Sequence, residues 1–238
     1  MLLLIRLSFL AIVVVAFCIP AHAGLIYISP VDMTGTGLGH VTTILTIQNK
    51  NTESGCVGFG GSKDILGSAA CVGGNVGGDE KHGASQTLTR LISETGALSA
   101  ADLVLIFNPS EPAGNEVNLS NANLTIYSPS GALLFKSGTF TPVFFATTET
   151  GTGKSGFAFR LDSADAAAAS AFFNSNNRIG LSATATESFA GLETFFVASA
   201  KSLGLAGAGG PSEIPEPASM LLLGAGLILV SVLRKRHA

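Results

Sequence analysis

The chain has 238 residues, of which 47% are hydrophobic and 12% charged, and its formal net charge is −3. From residue 24 to residue 233 there are nine Lys and Arg against sixteen Asp and Glu, a net charge of about −7. Because nucleic-acid binding depends on cationic side chains, this balance disfavours nucleic acid as a partner. With both apolar ends set aside, about 190 residues remain, which is enough for one substantial core or two small ones.

The first 23 residues have the organisation of a secretory signal peptide. Arg6 is followed by an apolar stretch from Leu7 to Ile19, and Ala21 and Ala23 place small residues at the two positions that a signal peptidase recognises. Cleavage is expected after the second of these alanines. The mature chain would then begin at residue 24 and be exported.

Strand patterns recur through residues 24–200. Segment 40–49 alternates two sets of side chains and is rich in β-branched residues, and similar runs follow about every ten residues, separated by turn signals. The predicted strands are 25–29, 40–49, 57–59, 86–92, 101–108, 123–128, 132–138, 140–148, 155–161, 178–186 and 193–200. This pattern predicts an all-β domain, an antiparallel β-sandwich of the jelly-roll or immunoglobulin/cohesin-like kind.

Three segments depart from the strand pattern. Residues 50–84 contain so much glycine that we expect a large loop, with 57–59 as its short strand. The Ala-rich segment 162–173 has a capping residue at its start and predicts one short helix at 163–173. The small residues of 201–214 predict a flexible linker.

Cysteine usage predicts a disulfide. Cys18 leaves with the signal peptide, so the mature chain keeps Cys56 and Cys71. In an oxidising compartment such a pair indicates a bridge, here one that closes a loop of about 15 residues and contributes roughly 3 kcal/mol in the chain-entropy model. The alternative, a redox or metal pair, lacks neighbouring partner residues.

No motif in the sequence identifies a reaction. The glycines at 151–155 lack the spacing of a phosphate-binding loop, and no nucleophile elbow is present. Asp79, Glu80 and His82 form a conceivable site, but a solvated loop is the simpler interpretation. We therefore predict no catalytic residue, no metal ligand and no cofactor, and we expect that the protein is not an enzyme.

The C-terminal segment combines three features. A Pro-Glu-Pro tripeptide, whose backbone is extended and poor in donors, precedes an uncharged run at 218–233 that predicts a short transmembrane helix. Three basic residues follow, and such residues stay cytoplasmic, so the body lies on the other side of the membrane. The tripeptide is Pro215, Glu216 and Pro217, and the basic residues are Arg234, Lys235 and Arg236.

Together with the signal peptide, this tail (residues 215–238) resembles the PEP-CTERM sorting signal of Gram-negative type bacteria that make exopolysaccharide or biofilm. The resemblance implies that an exosortase, a membrane-embedded cysteine protease, recognises and processes the tail. The tripeptide would then be part of a substrate. The protein would lie transiently in the inner membrane with its body in the periplasm, and then reach the cell surface or the extracellular matrix.

These features predict an exported surface or matrix protein, structural or adhesive, linked to exopolysaccharide or biofilm. Its expected partners are signal peptidase, the exosortase, the membrane and, on the matrix hypothesis, exopolysaccharide. A carbohydrate- or calcium-binding module is one alternative, although Trp is absent and only two Tyr could serve as aromatic sugar platforms. A secreted hydrolase is another, and it would need a cleft with two carboxylates about 5–9.5 Å apart.

Overall fold

The computed structural model describes residues 24–33, 42–81, 87–111, 115–146, 155–188 and 191–205. The chain divides into two compact units, and all of these residues belong to the unit formed by residues 22–208. The strands within the described ranges are β1 (Leu25–Asp32), β2 (Thr42–Ile47), β3 (Asn51–Phe59), β4 (Asp64–Leu66), β5 (Arg90–Leu91), β6 (Leu103–Asn108), β7 (Glu116–Tyr127), β8 (Leu133–Lys136), β9 (Val143–Ala146), β10 (Ser155–Leu161), β11 (Arg178–Ser188) and β12 (Glu193–Ser199). The helix is α1 (Ser163–Ser170), and short 3-10 turns lie at Gly67–Ala69, Ile92–Thr95 and Ala100–Asp102.

These strands form two antiparallel sheets. The first sheet has the order β1-β10-β6-β12-β2, and the second has the order β4-β3-β11-β7-β8, with β5 beside β11 and β9 beside β7. Several neighbours are distant in sequence: β1 pairs with β10, and β3 pairs with β11. The prediction of a mostly β, antiparallel domain is therefore confirmed for the described part of the chain.

The two sheets share one core made of alternating side chains. Phe107, Phe159 and Phe195 project into it from the first sheet, and each is fully buried. Phe145 comes from the second sheet and stacks on Phe157 of the first, with ring centroids 4.0 Å apart. Since aromatic rings from both layers interdigitate, the sheets pack face to face, as they do in a sandwich.

The other face of the first sheet is also apolar. Its cluster consists of Val104, Ile106, Ala158, Phe196 and Ala198, each at most 2% exposed, together with Met33. The chain folds back onto this face after β12, where Leu203 and Leu205 pack against the cluster. The amide of Leu205 donates to the carbonyl of Ala200 at 2.8 Å and closes this turn. The first residues of the predicted linker thus lie against the domain.

Helix α1 forms where the composition predicts it. The Asp162 side chain caps it by accepting an amide hydrogen bond of 2.7 Å in the first turn. Ala166 and Ala169 are buried against the shared core, so the small side chains let the helix approach closely. The helix ends at Ser170, three residues before the end of the predicted segment 163–173.

The prediction of a large loop over 50–84 is wrong in its first part. β3 spans Asn51–Phe59 and pairs with β11 over its length from Asn51 to Val57, and β4 pairs with the end of β3. The glycine at position 55 is required by a close approach, because a Cβ there would overlap Cγ2 of Ile47. Glycine at this position therefore reflects tight packing of a strand and not a loop.

Within the described ranges, no helix has both the length and the apolar character that crossing a membrane demands. The predicted signal peptide and the predicted transmembrane helix at 218–233 lie outside those ranges.

Candidate functional site

A disulfide attaches the loop after β4 to the outer face of the second sheet. Cys56 of β3 is bonded to Cys71, with their Cα atoms 5.0 Å apart, so the predicted bridge is confirmed. The amide of Val72, the residue after Cys71, donates to Ser182 Oγ of β11 at 3.2 Å. We call residues 71–78 the stapled loop, because the bridge and these polar contacts hold it on the sheet.

Asp79 and Glu80 complete the open edge of β3. Asp79 Oδ2 accepts a hydrogen bond from the Ser54 amide at 2.8 Å, and Glu80 Oε1 accepts one from the Cys56 amide at 2.6 Å. β4 pairs only with the last three residues of β3, so these carboxylates satisfy the amides that β4 does not reach. Asp79 and Glu80, which the sequence suggested as a conceivable site with His82, thus act as acceptors for the backbone of β3. His82 lies outside the described residues.

Three other carboxylates meet inside the domain. Glu53, Glu111 and Glu193 are at most 1% exposed. Ser188 Oγ donates to Glu111 Oε1 at 3.1 Å, and the Asn49 amide donates to Glu53 Oε2 at 3.1 Å. Burial raises the pKa of Glu193 to about 10, and the hydrogen bond to Glu53 and the charges of Glu53 and Glu111 add to the rise. Glu193 is therefore protonated at neutral pH in the folded protein.

These carboxylates are poorly placed for chemistry on a large substrate, because burial removes them from any cleft. In the part of the chain that the structure describes, no group of three or more His, Cys, Asp or Glu side chains could hold a metal ion. The absence of a metal or catalytic site in the whole chain stays a prediction.

A bulge in β7 creates a polar surface on the second sheet. Leu119 and Asn121 pair with two adjacent residues of β11, which leaves Ser120 as an extra residue. Leu119 before the bulge and Leu124 after it both face the shared core, although they are an odd number of positions apart. The bulge therefore switches the alternation and turns Asn121 and Asn123 outward. The predicted strand begins only at residue 123, so the bulge was not predicted.

A groove of about 400 Å³ lies on this outer face. Its volume falls in the range of about 300–1,000 Å³ that is usual for small-molecule sites. The lining is rich in amide and hydroxyl groups, with one cation and one aromatic ring. The residues that line it are Gly73, Ser120, Asn121, Asn123, Lys136, Ser137, Gly138, Thr139 and Phe140.

Hydrogen bonds fix the amides of this groove. Asn123 Nδ2 donates to Asn121 Oδ1 at 2.9 Å, and Asn121 Nδ2 donates to the carbonyl of Gly73 at 2.8 Å. Gly73 has a φ of +68°, and a Cβ there would overlap the side chain of Asn123. The stapled loop and the sheet thus form one wall whose close approach requires glycine at position 73.

Most residues to which the sequence assigns a role lie outside the described ranges, and their roles stay predictions. They are the cleavage residues Ala21 and Ala23, the tripeptide Pro215, Glu216 and Pro217, and the basic residues Arg234, Lys235 and Arg236. The groove and the buried carboxylates were not predicted. The available signal for the groove was the break in alternation at Ser120, whereas Glu53, Glu111 and Glu193 carry no local signal.

Comparison with known proteins identifies the tail. No curated protein and no solved structure matches the chain. A family model described as the PEP-CTERM protein-sorting motif matches residues 213–236, which confirms the resemblance that the sequence indicated. The motif implies export, membrane-anchored sorting and processing by an exosortase. The chain therefore carries a PEP-CTERM sorting motif at residues 213–236, as an exosortase substrate does.

Proposed function

We propose that the protein is a non-enzymatic component of the cell surface or extracellular matrix, and that its β domain acts by adhesion or assembly with exopolysaccharide or biofilm. The observation that carries the proposal is the sorting motif at residues 213–236. In this scheme, signal peptidase cuts after Ala23 and the domain, residues 24–200, is delivered to the periplasm. The helix at 218–233 holds the chain in the inner membrane until the exosortase acts.

The physical chemistry of the tail supports this order of events. Pro215 and Pro217 each fix φ and lack an amide donor, so the tripeptide joins neither a helix nor a sheet. An unpaired, extended backbone is the form that a protease can bind as an added strand. The basic cluster 234–236 keeps its end in the cytoplasm and so presents the tripeptide on the outer side of the membrane.

Two features of the β domain support a role in contact and not in catalysis. The disulfide between Cys56 and Cys71 suits an oxidising compartment outside the cytoplasm. A glycoside hydrolase needs two carboxylates that flank the scissile bond, but Glu53 and Glu193 are fully buried. We also propose that the domain is a sandwich of the jelly-roll or immunoglobulin/cohesin-like kind. The pairing of strands that are distant in sequence supports this.

Replacing Pro215, Glu216 and Pro217 together by Ala tests the sorting step. The variant should still be exported, lose its signal peptide and fold, because these events precede recognition of the tail. It should then accumulate in the inner membrane with the tail attached, since Ala lets the apolar helix extend through the tripeptide. Cell fractionation combined with the intact mass of the recovered protein measures both outcomes.

A matched control replaces Gly209, Gly210 and Pro211 by Ala, which changes three residues just outside the motif. This control should reach the same location at the same mass as the wild type. If the variant at 215–217 also does so, the tail is an ordinary anchor and the proposed sorting is wrong.

A further inference from the structure

We propose that the groove on the outer face of the second sheet binds an acidic saccharide, a hydroxyl-rich sugar unit that carries a carboxylate. The inference deepens the proposed adhesive role of the domain and rests on it for its biological meaning. Its geometry, however, involves only described residues of the β domain and none of the tail.

The amides and hydroxyls of the groove match vicinal sugar hydroxyls. After its bonds to Asn123 and Gly73, the half-buried Asn121 side chain keeps one N–H and one acceptor position for a ligand. The hydroxyls of Ser120 and Thr139 lie on the same lining, and Ser120 Oγ donates to the carbonyl of Thr184 at 3.1 Å, so it keeps acceptor positions for a ligand. Adjacent donors and acceptors of this kind pair with a hydroxyl that both donates and accepts.

Lys136 supplies the preference for an acidic unit. Its side chain is exposed, and within the described ranges no hydrogen bond or ion pair engages it. None of the residues that line the groove is acidic. Asp165 lies beside this lining, but its carboxylate accepts a hydrogen bond from the Gly138 amide at 2.6 Å, which compensates part of its charge. Lys136 is the one charged side chain among the described residues that line the groove, and charges of the body farther away than about 8 Å are largely screened at physiological salt.

The groove is formed before a ligand arrives. The disulfide at Cys71 holds the stapled loop, and the chain of amides through Asn123 holds Asn121. Ser137 Oγ accepts from the Leu124 amide at 3.0 Å, which fixes the strand that carries Lys136. Because these groups lose little freedom on binding, modest polar contacts suffice for measurable affinity.

The test uses the exported protein, purified as the cells release it, and calorimetric titration with three probes. Trigalacturonate supplies the hydroxyls and the carboxylates, galactotriose supplies the hydroxyls alone, and inorganic phosphate supplies an anion alone. Trigalacturonate should bind at least about tenfold more tightly than either of the others. Lys136→Gln and Asn121→Ala should each weaken its binding by about tenfold or more.

Lys63→Gln is the matched control, because Lys63 is an exposed lysine that does not line the groove. It should bind trigalacturonate like the wild type, and thermal unfolding should show that all variants are folded. No binding at about 10 mM trigalacturonate would overturn the proposal. So would unchanged binding in Lys136→Gln and Asn121→Ala, or phosphate binding as tight as trigalacturonate, which would make the groove a simple anion site.

Failure here is distinguishable from failure of the proposed function. The tail variants leave the groove intact, and the groove variants leave the tail intact. A protein that is sorted normally but binds no sugar would reject the groove alone. A protein that binds trigalacturonate but is not processed at its tail would reject the sorting alone.

Discussion

Glu193 offers a quantitative test of the buried carboxylate cluster. We predict that Glu193→Gln makes the folded protein more stable at neutral and alkaline pH. Glutamine has nearly the same shape as glutamic acid, is uncharged at every pH and carries a donor on one side of its amide. It can therefore keep a hydrogen bond to Glu53 of the kind that the protonated acid makes.

The magnitude follows from the pKa of Glu193, which burial raises from an ordinary value of 4.5 to about 10. In the unfolded chain this carboxyl loses its proton above about pH 4.5, while the folded protein retains it until about pH 10. Between these values the folded state binds more protons, so the free energy of unfolding falls as pH rises. One pH unit is worth about 1.4 kcal/mol, so the group destabilises the fold by about 3 kcal/mol at pH 7 relative to pH 4.5.

Urea unfolding of the wild type and of Glu193→Gln from pH 5 to pH 8 measures this effect. From pH 5 to pH 8, the free energy of unfolding of the variant minus that of the wild type should rise by about 4 kcal/mol. Glu116→Gln, an exposed change at the start of β7, controls for the loss of one negative charge. If the curves for the wild type and Glu193→Gln run parallel, Glu193 is ionised in the folded protein and the reasoning is refuted.

Four further changes test the packing around the groove and the core. Serine at both Cys56 and Cys71 should lower the free energy of unfolding by about 3 kcal/mol in urea titrations, with no such loss if the cysteines are unbonded in the exported protein. Glu80→Ala should lower the free energy of unfolding by about 2 kcal/mol in the same assay, because the Cys56 amide loses its buried acceptor. Glu80→Gln keeps an acceptor oxygen and should lose less stability than Glu80→Ala. Phe145→Ala removes the ring stacked on Phe157 and should cost about 3–5 kcal/mol, and a cost below 1 kcal/mol would contradict the packing of the two sheets. Gly73→Ala should lower the melting temperature and weaken trigalacturonate binding, because its Cβ overlaps Asn123, and normal binding would show that the loop does not form the groove wall.

Strands with a regular apolar alternation could be predicted from the sequence, while of β3 only the end at 57–59 was predicted. β10 and β12 each place Phe at core positions in a run of seven residues, and both were predicted almost to the residue. β3 has the sequence NTESGCVGF, whose polar and glycine residues are typical of loops. Cys56 is bonded to the stapled loop, and the Ser54 hydroxyl forms a hydrogen bond with Thr184, which in turn donates to Asn75 of that loop. The polar residues of the strand therefore face a loop that only the folded chain places there.

The candidate site likewise has parts that could be predicted from the sequence and parts that could not. The disulfide was predictable, because export and an even cysteine count leave one pairing. The sorting motif was predictable, because its parts are adjacent in sequence. The groove combines residues 73, 120–123 and 136–140, and their meeting depends on the bulge at Ser120 and on the positive φ of Gly73. The break in apolar alternation at Ser120 is a local signal for the bulge, whereas the meeting of Gly73 with Asn123 depends on the folded chain.

The outer faces of the two sheets differ in polarity. The outer face of the first sheet is apolar and is covered in part by Leu203 and Leu205, the last described residues before the tail. The outer face of the second sheet is polar, and it carries the stapled loop and the groove. Because the core separates these faces, Leu203 and Leu205 lie on the side opposite the groove. A substitution in the groove therefore should not disturb the packing of residues 200–205, which is why the binding and sorting variants can be interpreted independently.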